Sequence, residues 1–438
     1  MNHLISLNGR IEAYNREVQR LEQKYADRFR EDLRMRGLVS YVGNRNIPLL
    51  RLYRYKEAFS FRFVEEWLNR FRVNNEDIVF DPFCGIGTTL LAASCQGIQA
   101  VGVDRLPLAV FIARTLPLFF QLRPGELTQM FEHLRRKVSS AEPAPVAMDV
   151  AIMNVAFPAS ILLTLRRWKS VIDSLDSPFR EVFLVLFFSI LEACSYTSKD
   201  GQFLRLKQDK RLADPLELLS SKVREAEIDI RWIQKLGWNK HFLPFQVVLD
   251  DARQLRNLQF ERPPTVIITS PPYVNRYDYT RTYSLELCFH FTHSFSELRE
   301  LRHSLIRSHI EARLLPEEEA PHPLVRALVD SLRQHSKTLS NPRIPDMLTG
   351  YFMDMRKTIR EWKKIISPSA HIAMIVDNVR FEGYMLPVDL ILSEIAEEEG
   401  FITSEIVIAR YKGNSSQQMG RYGRVPARES VVVWRKQG

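Results

Sequence analysis

Two short stretches hold residues whose types and spacing could do chemistry. The first is DPFCGIGTT, residues 81–89. Gly85 and Gly87 let the backbone turn tightly and approach a ligand where a Cβ would intervene. The helix predicted to follow offers free N–H groups at its start. The sequence lacks G-x-x-x-x-G-K-[ST], which excludes a triphosphate loop, and the glycines do not fit G-x-G-x-x-G. A G-x-G pair alone is better explained by a structural turn. The second stretch is Ser270-Pro271-Pro272-Tyr273. Two prolines make a rigid turn without N–H groups, so their carbonyls are left to accept hydrogen bonds. An aromatic ring follows, placing acceptors for an amino group beside a surface on which a flat ring can stack.

The elements around these stretches must position them. Ile78 to Phe80 reads as a short apolar strand, 81–87 as a turn, and 88–96 as a helix. Ala100 to Val103 is a second strand, ending in Asp104. Strand, turn, helix and strand make a βαβ unit, the start of a doubly wound sheet. Thr265 to Thr269 is the strand that delivers Ser270. Further strands are expected at 245–249, 371–378, 402–409 and 430–434, with a helix over 388–399. Residues 45–75 read as a loop and then an amphipathic helix, with Phe61, Phe63, Val64, Trp67 and Phe71 on its apolar side. The organisation predicted is an α/β catalytic domain, 45–110 and 244–438. Helical insertions at 111–243, a possible target-recognition region, and at 284–366 interrupt it, and a helical extension, 1–44, precedes it. In that extension Leu4, Leu7, Ile11, Tyr14, Val18, Leu21 and Tyr25 form a heptad seam. It suits a helix packed on its own chain, leaving a monomer, or a coiled-coil dimer through residues 4–25.

Taken together, DPFCGIGTT and SPPY resemble the DNA amino-methyltransferases, the cytosine-N4 and adenine-N6 enzymes, in an SPPY-bearing branch of modification methylases. VNRYDYTRTYSLEL after the tetrapeptide, GYFMDMRKTIREW, Asp377-Asn378, GYMLPVDLILSEIAEEEGF, GNSSQQMGRYG and RESVVVWRK carry the same likeness. It covers about residues 45–110 and 245–436. The resemblance implies a Rossmann-like methyltransferase fold, a doubly wound seven-stranded sheet, and S-adenosyl-L-methionine as cofactor. It puts Asp81, Phe83, Gly85, Gly87 and Thr88 around the methionine part of the cofactor and Asp104 on the ribose hydroxyls. Asp251, rather than Asp250, would hold the adenine amino group. Ser270 and the Pro271 carbonyl would hold the amino group of a base flipped out of double-stranded DNA, with Pro272 stiffening the turn and Tyr273 stacking on the base. Serine at the first position points to cytosine-N4, since adenine-N6 enzymes usually carry Asp or Asn there. A carbon-5 methyltransferase would need a Pro-Cys nucleophile, and the sequence holds no Pro-Cys. The implied setting is restriction–modification or host DNA marking, with a restriction endonuclease or defence-system partner. Long insertions on both sides of SPPY depart from the family's layouts and leave the target-recognition region unplaced. Two other readings stand beside this one: an RNA base amino-methyltransferase, and a non-catalytic cofactor-binding DNA-recognition subunit.

Bulk properties fit without deciding. The 438 residues carry a net charge of +9, which suits a polyanionic partner. Residues 408–436 hold seven basic side chains interleaved with tyrosines and glycines, among them Lys412, Arg421 and Arg424, with Glu429 alone opposing them. That composition suits backbone contacts and stacking. The loop SKDGQFLRLKQDKR adds Arg205 and Lys207. Four scattered cysteines form no C-x-x-C pair, so neither zinc nor disulfides are expected. His290, His293, His303 and His309 are spaced by three, ten and six residues, which is not ligand geometry, and no metal site is expected. No apolar run spans a membrane, and MNHLISLNGRIEAYNR lacks the parts of a signal peptide. A cytoplasmic protein is expected.

Overall fold

The computed structural model describes residues 2–200, 203–315, 317–334, 339–413, 419–420 and 422–437. Its strands are β1 (Phe29–Glu31), β2 (Ile78–Asp81), β3 (Gln99–Asp104), β4 (Thr197–Asp200), β5 (Phe203–Leu206), β6 (Gln246–Leu249), β7 (Val266–Thr269), β8 (His371–Asp377), β9 (Val379–Phe381), β10 (Tyr384–Leu386), β11 (Phe401–Lys412) and β12 (Ala427–Lys436). Eight of them form one sheet in the order β1-β11-β12-β8-β7-β2-β3-β6. β2 pairs parallel with β3 and with β7, β3 with β6, and β7 with β8. β12 runs antiparallel between β8 and β11.

This is the Rossmann-like doubly wound arrangement, with eight strands rather than the seven expected. The eighth, β1, pairs parallel with the edge of β11 and comes from the segment read as a helical extension. Three residues are too few to show a period.

β2 and β7 are buried along their whole length, which is why they read as unbroken apolar runs. Val79 packs on the core holding the helices Phe61–Arg70, Thr88–Ser94 and Pro107–Thr115, while Ile78 and Phe80 face the core of Ile344–Ile365 and Val388–Glu398. Ser60 caps the first of these helices by accepting from the Phe63 N–H at 3.1 Å. The helix Ile344–Ile365, placed by sequence in an insertion, is the crossover between β7 and β8. Its Met347, Leu348, Tyr351, Phe352, Met355, Ile359 and Trp362 are buried. The block 111–243 packs the helices Glu126–Lys137, Ala159–Asp173, Phe179–Leu191 and Pro215–Lys235 on the same core as Val79. The loop SKDGQFLRLKQDKR contains the antiparallel pair β4 and β5.

In the helix Asn2–Lys24, the seam residues Tyr14 and Leu21 are buried, as is Tyr25 just past its end. They pack in the chain's own core beside the helices Pro323–Gln334 and Val388–Glu398. Arg20 and Lys24 pair with Glu394 at 2.5 and 2.8 Å. Over the side chains described, the seam is thus occupied internally. No described helix is long and apolar enough to cross a membrane.

Candidate active site

The sheet reverses its winding between β2 and β7, where a crevice opens at the strands' C-terminal ends. Both motifs lie there. Asp81 is the last residue of β2, and Ser270 follows the last residue of β7.

The glycine turn leaves β2 and enters the helix Thr88–Ser94. Gly85 and Gly87 have φ of +51° and +88°, which side chains rarely adopt. A Cβ on Gly85 would stand 3.2 Å from the Tyr55 ring. Asp104 ends β3 and fixes the turn. Its Oδ2 accepts from the Gly85 N–H at 2.9 Å and its Oδ1 from the Leu106 N–H at 2.8 Å. Burial raises its pKa, and these backbone donors work against the rise. Gly102, also on β3, makes room for the turn, because a Cβ there would meet Cys84 Cβ at 2.8 Å.

A cavity of about 820 Å³ lies over this turn. Phe83, Gly85, Thr88, Asp104, Asp251, Ser270 and Pro272 line it. Tyr55, Glu57, Ala58, Phe59, Tyr279, Ser304, Leu305, Ile306 and Ser308 close it, and sequence reasoning missed all of these. Asp81 stands outside the walls. Its carboxylate accepts from the hydroxyls of Thr269 and Thr89, both at 2.6 Å, and from the Phe83 N–H at 3.1 Å. It ties β2 to β7 and to the turn, and burial pushes its pKa up to about 7. Gly87 also lies off the walls, against Ala113.

Asp250 and Asp251 have different surroundings. Asp250 is buried and accepts from the N–H groups of Asp251 and Asn257, both at 2.7 Å, so it shapes the turn. Asp251 lines the cavity. Burial raises its pKa, but Arg253 outweighs this through an ion pair at 2.6 Å and holds the carboxyl below its usual range. Arg253 is held in turn by buried Asp354 at 3.0 Å.

A second cavity, about 640 Å³, adjoins the first. Pro271 and Tyr273 line it, and it shares Ser270, Glu57, Ala58 and Tyr279 with the first. The tetrapeptide is therefore the partition, with Pro272 on one side and Pro271 and Tyr273 on the other. Ser270 Oγ lies 3.4 Å from both Tyr273 Oη and the Ile375 carbonyl. Tyr273 Oη donates to buried Glu429 at 3.2 Å. Burial and the Glu429 and Asp377 carboxylates keep that phenol neutral. Lys412 stands 5.7 Å from the Tyr273 ring centre and pairs with Glu429 at 2.8 Å and Asp377 at 3.1 Å. Arg410 also pairs with Glu429.

The expected nucleic-acid contacts are dispersed. Lys412 belongs to this buried network and not to an open basic surface. Arg428 is bound by Asp389 and Glu22. Arg424 is exposed, and Arg421 lies outside the described residues. Arg205 is exposed on β5 beside the Phe203 ring, and Lys207 is exposed just beyond that strand. In the same hairpin Lys199 is buried against Glu286, and Lys210 donates to the Glu192 and Thr197 carbonyls. Among the described residues no cluster of His, Cys, Asp and Glu could hold a metal.

Residues 12–113 match the family N6_N4_Mtase, described as DNA methylase. The chain is 33% identical over 466 aligned residues to the Type II methyltransferase M.AvaI of Nostoc sp. strain PCC 7120, covering 98% of this chain and 96% of that one. It is 30% identical to the Type II methyltransferase M.BsoBI of Geobacillus stearothermophilus, over 96% and 92% of the two chains. Among solved structures, the rRNA methyltransferase AviRa of Streptomyces viridochromogenes aligns with a TM-score of 0.30 and 12% identity, over 86% and 85% of the chains. That likeness is too slight to argue from, and the fold rests on the strand order. The near full-length relatives, the switch-point cavity and the SPPY partition agree: the chain belongs to the DNA amino-methyltransferases of Type II systems, enzymes that use S-adenosyl-L-methionine.

Proposed function

We propose that this enzyme methylates the exocyclic N4 of a cytosine extruded from double-stranded DNA, as the modification half of a restriction–modification pair. The observation that carries the reading is the junction of two cavities at Ser270. The cavity over the glycine turn takes S-adenosyl-L-methionine, and the one lined by Pro271 and Tyr273 takes the base.

The residues present fit the cofactor. Asp104 offers a carboxylate at a strand end, where a ribose diol is bound in nucleotide folds. Gly85 leaves the turn open to close approach. Asp251, fixed by Arg253, is the acceptor for the adenine amino group. Phe83 and Thr88 border the methionine part, and Asp81 and Gly87 hold the turn's shape from behind it. When bound, the cofactor supplies an electrophilic methyl group on a sulfonium.

The other parts fall to the chain. Tyr273 stacks on the base. Ser270 Oγ and the Pro271 carbonyl accept from the amino protons and draw the nitrogen lone pair out of conjugation towards tetrahedral geometry. Proximity and this polarisation do most of the catalysis. The surplus proton leaves past Ser270 to water, and no covalent intermediate is needed. Serine in place of the Asp or Asn usual in adenine-N6 enzymes supports cytosine as the acceptor.

The test is substitution at the partition. S270A and Y273A should bind S-adenosylhomocysteine as the wild type does and lose at least about 100-fold in methyl transfer to DNA, the scale of a lost transition-state donor or acceptor. Full transfer by S270A would sink the assignment.

A further inference from the structure

At the C-terminal end Lys412 and Arg428 are neutralised within the fold, which leaves room for a second phosphate-binding site elsewhere. A third cavity of about 840 Å³ lies beside the other two. Tyr55, Ala58 and Ile86 border it and the cofactor cavity alike, and Ala58 lines all three. Its basic side chains are Arg45, Arg51 and Arg54. Arg51 is committed to Asp229 and Glu225. Arg45 and Arg54 are exposed, and among the described residues neither has a carboxylate in ion-pair contact. Both guanidinium groups stand 5.8 Å from the Tyr41 ring centre, and Arg54 also donates to Tyr41 Oη at 3.3 Å. Lys56, two residues beyond Arg54, lines the base cavity and likewise has no carboxylate partner among the described residues.

We propose that Arg45, Arg54 and Lys56 bind the DNA phosphates flanking the extruded nucleotide, with Tyr41 holding the two arginines in place. A base seated against Tyr273 has its sugar and phosphates at the cavity mouth; Lys56 lines that cavity, and Arg45 and Arg54 line the neighbouring one, which meets it at Ala58. Exposed guanidinium groups without carboxylates are suited to phosphate oxygens, and such contacts fix register while carrying no sequence information. The inference rests on the assignment of Ser270 and Tyr273 to the base cavity.

Each phosphate neutralised on duplex DNA contributes about −0.9 to the slope of log K against log salt. R45A/R54A should therefore flatten the slope for an unmethylated 30-base-pair duplex by about 1.8. Its KM for unmethylated genomic DNA should rise at least tenfold at 150 mM salt (a chosen assay condition, roughly physiological), with most of the loss in KM and not in kcat. R45K/R54K should keep the wild-type slope, and K56M should remove about 0.9 from it without touching Tyr41. S-adenosylhomocysteine binding, read in parallel, confirms that each variant is folded. A wild-type slope in both R45A/R54A and K56M overturns the inference. A wild type that does not methylate DNA at all fails the functional reading instead, which separates the two.

Discussion

Asp104→Asn probes the cofactor assignment at a single atom pair. The carboxylate now accepts from two backbone donors, Gly85 at 2.9 Å and Leu106 at 2.8 Å, and keeps lone pairs facing the cavity. An amide can accept on one side only, so the variant loses one backbone bond and its charged acceptor for the ribose. A hydrogen bond to a charged group contributes about 1.5–3 kcal/mol. Losing one ribose bond should then weaken S-adenosylhomocysteine binding by about 10- to 150-fold. The backbone loss would add to this, and a double cycle removes it. Calorimetry on wild type and D104N, each with S-adenosylhomocysteine and with its 2′,3′-dideoxy analogue, isolates the ribose contribution because the turn's distortion is common to both ligands. The wild type should prefer the natural ligand by about 10- to 150-fold, and D104N by less than about threefold. An equal loss for both ligands would show that Asp104 only shapes the turn, and the ribose assignment would fall.

Two further predictions concern the supports of the site. Gly102→Ala places a Cβ 2.6 Å from Leu90 Cδ1 and 2.8 Å from Cys84 Cβ. It should cost about 1–3 kcal/mol by overpacking, seen in urea unfolding, whereas wild-type stability would show that the turn is not seated on β3 as described. Asp81 has a pKa raised to about 7 in the folded state. The folded protein then holds that proton more tightly than the unfolded chain does. The stability this contributes is greatest below about pH 4 and is lost as pH rises to about 7, by at most about 4 kcal/mol. Asp81→Asn does not titrate, so unfolding free energies of wild type minus variant should fall across that window and level off above it. A flat difference would show that the carboxyl is ionised throughout.

The parts legible in sequence were those encoded locally. The run from Ile78 to Asp104 shows a strand, a glycine turn, a helix and a strand in order, and the structure places Asp104 on that turn. Thr265 to Tyr273 shows a buried strand and its rigid exit. The parts missed depend on distant pairing. Tyr55, Glu57 and Ala58 line the cavities from an irregular segment without a period, although the alternation of basic and aromatic residues in RLYRYKEAF was a usable signal. Lys412 and Arg428 looked free because two of their partners, Asp377 and Asp389, lie more than 30 residues back in the chain. The helix Ile344–Ile365 looked like part of an insertion because of its charge, yet its apolar residues recur at three- and four-residue spacing and fill the core beneath β8.

The most direct test is methyl transfer from labelled S-adenosyl-L-methionine to unmethylated genomic DNA and to total RNA in parallel, followed by mass analysis of the nucleosides. N4-methylcytosine in DNA, absent with S270A, is the predicted product. N6-methyladenine in DNA would keep the partition and contradict the choice of base, and label confined to RNA would contradict the account as a whole.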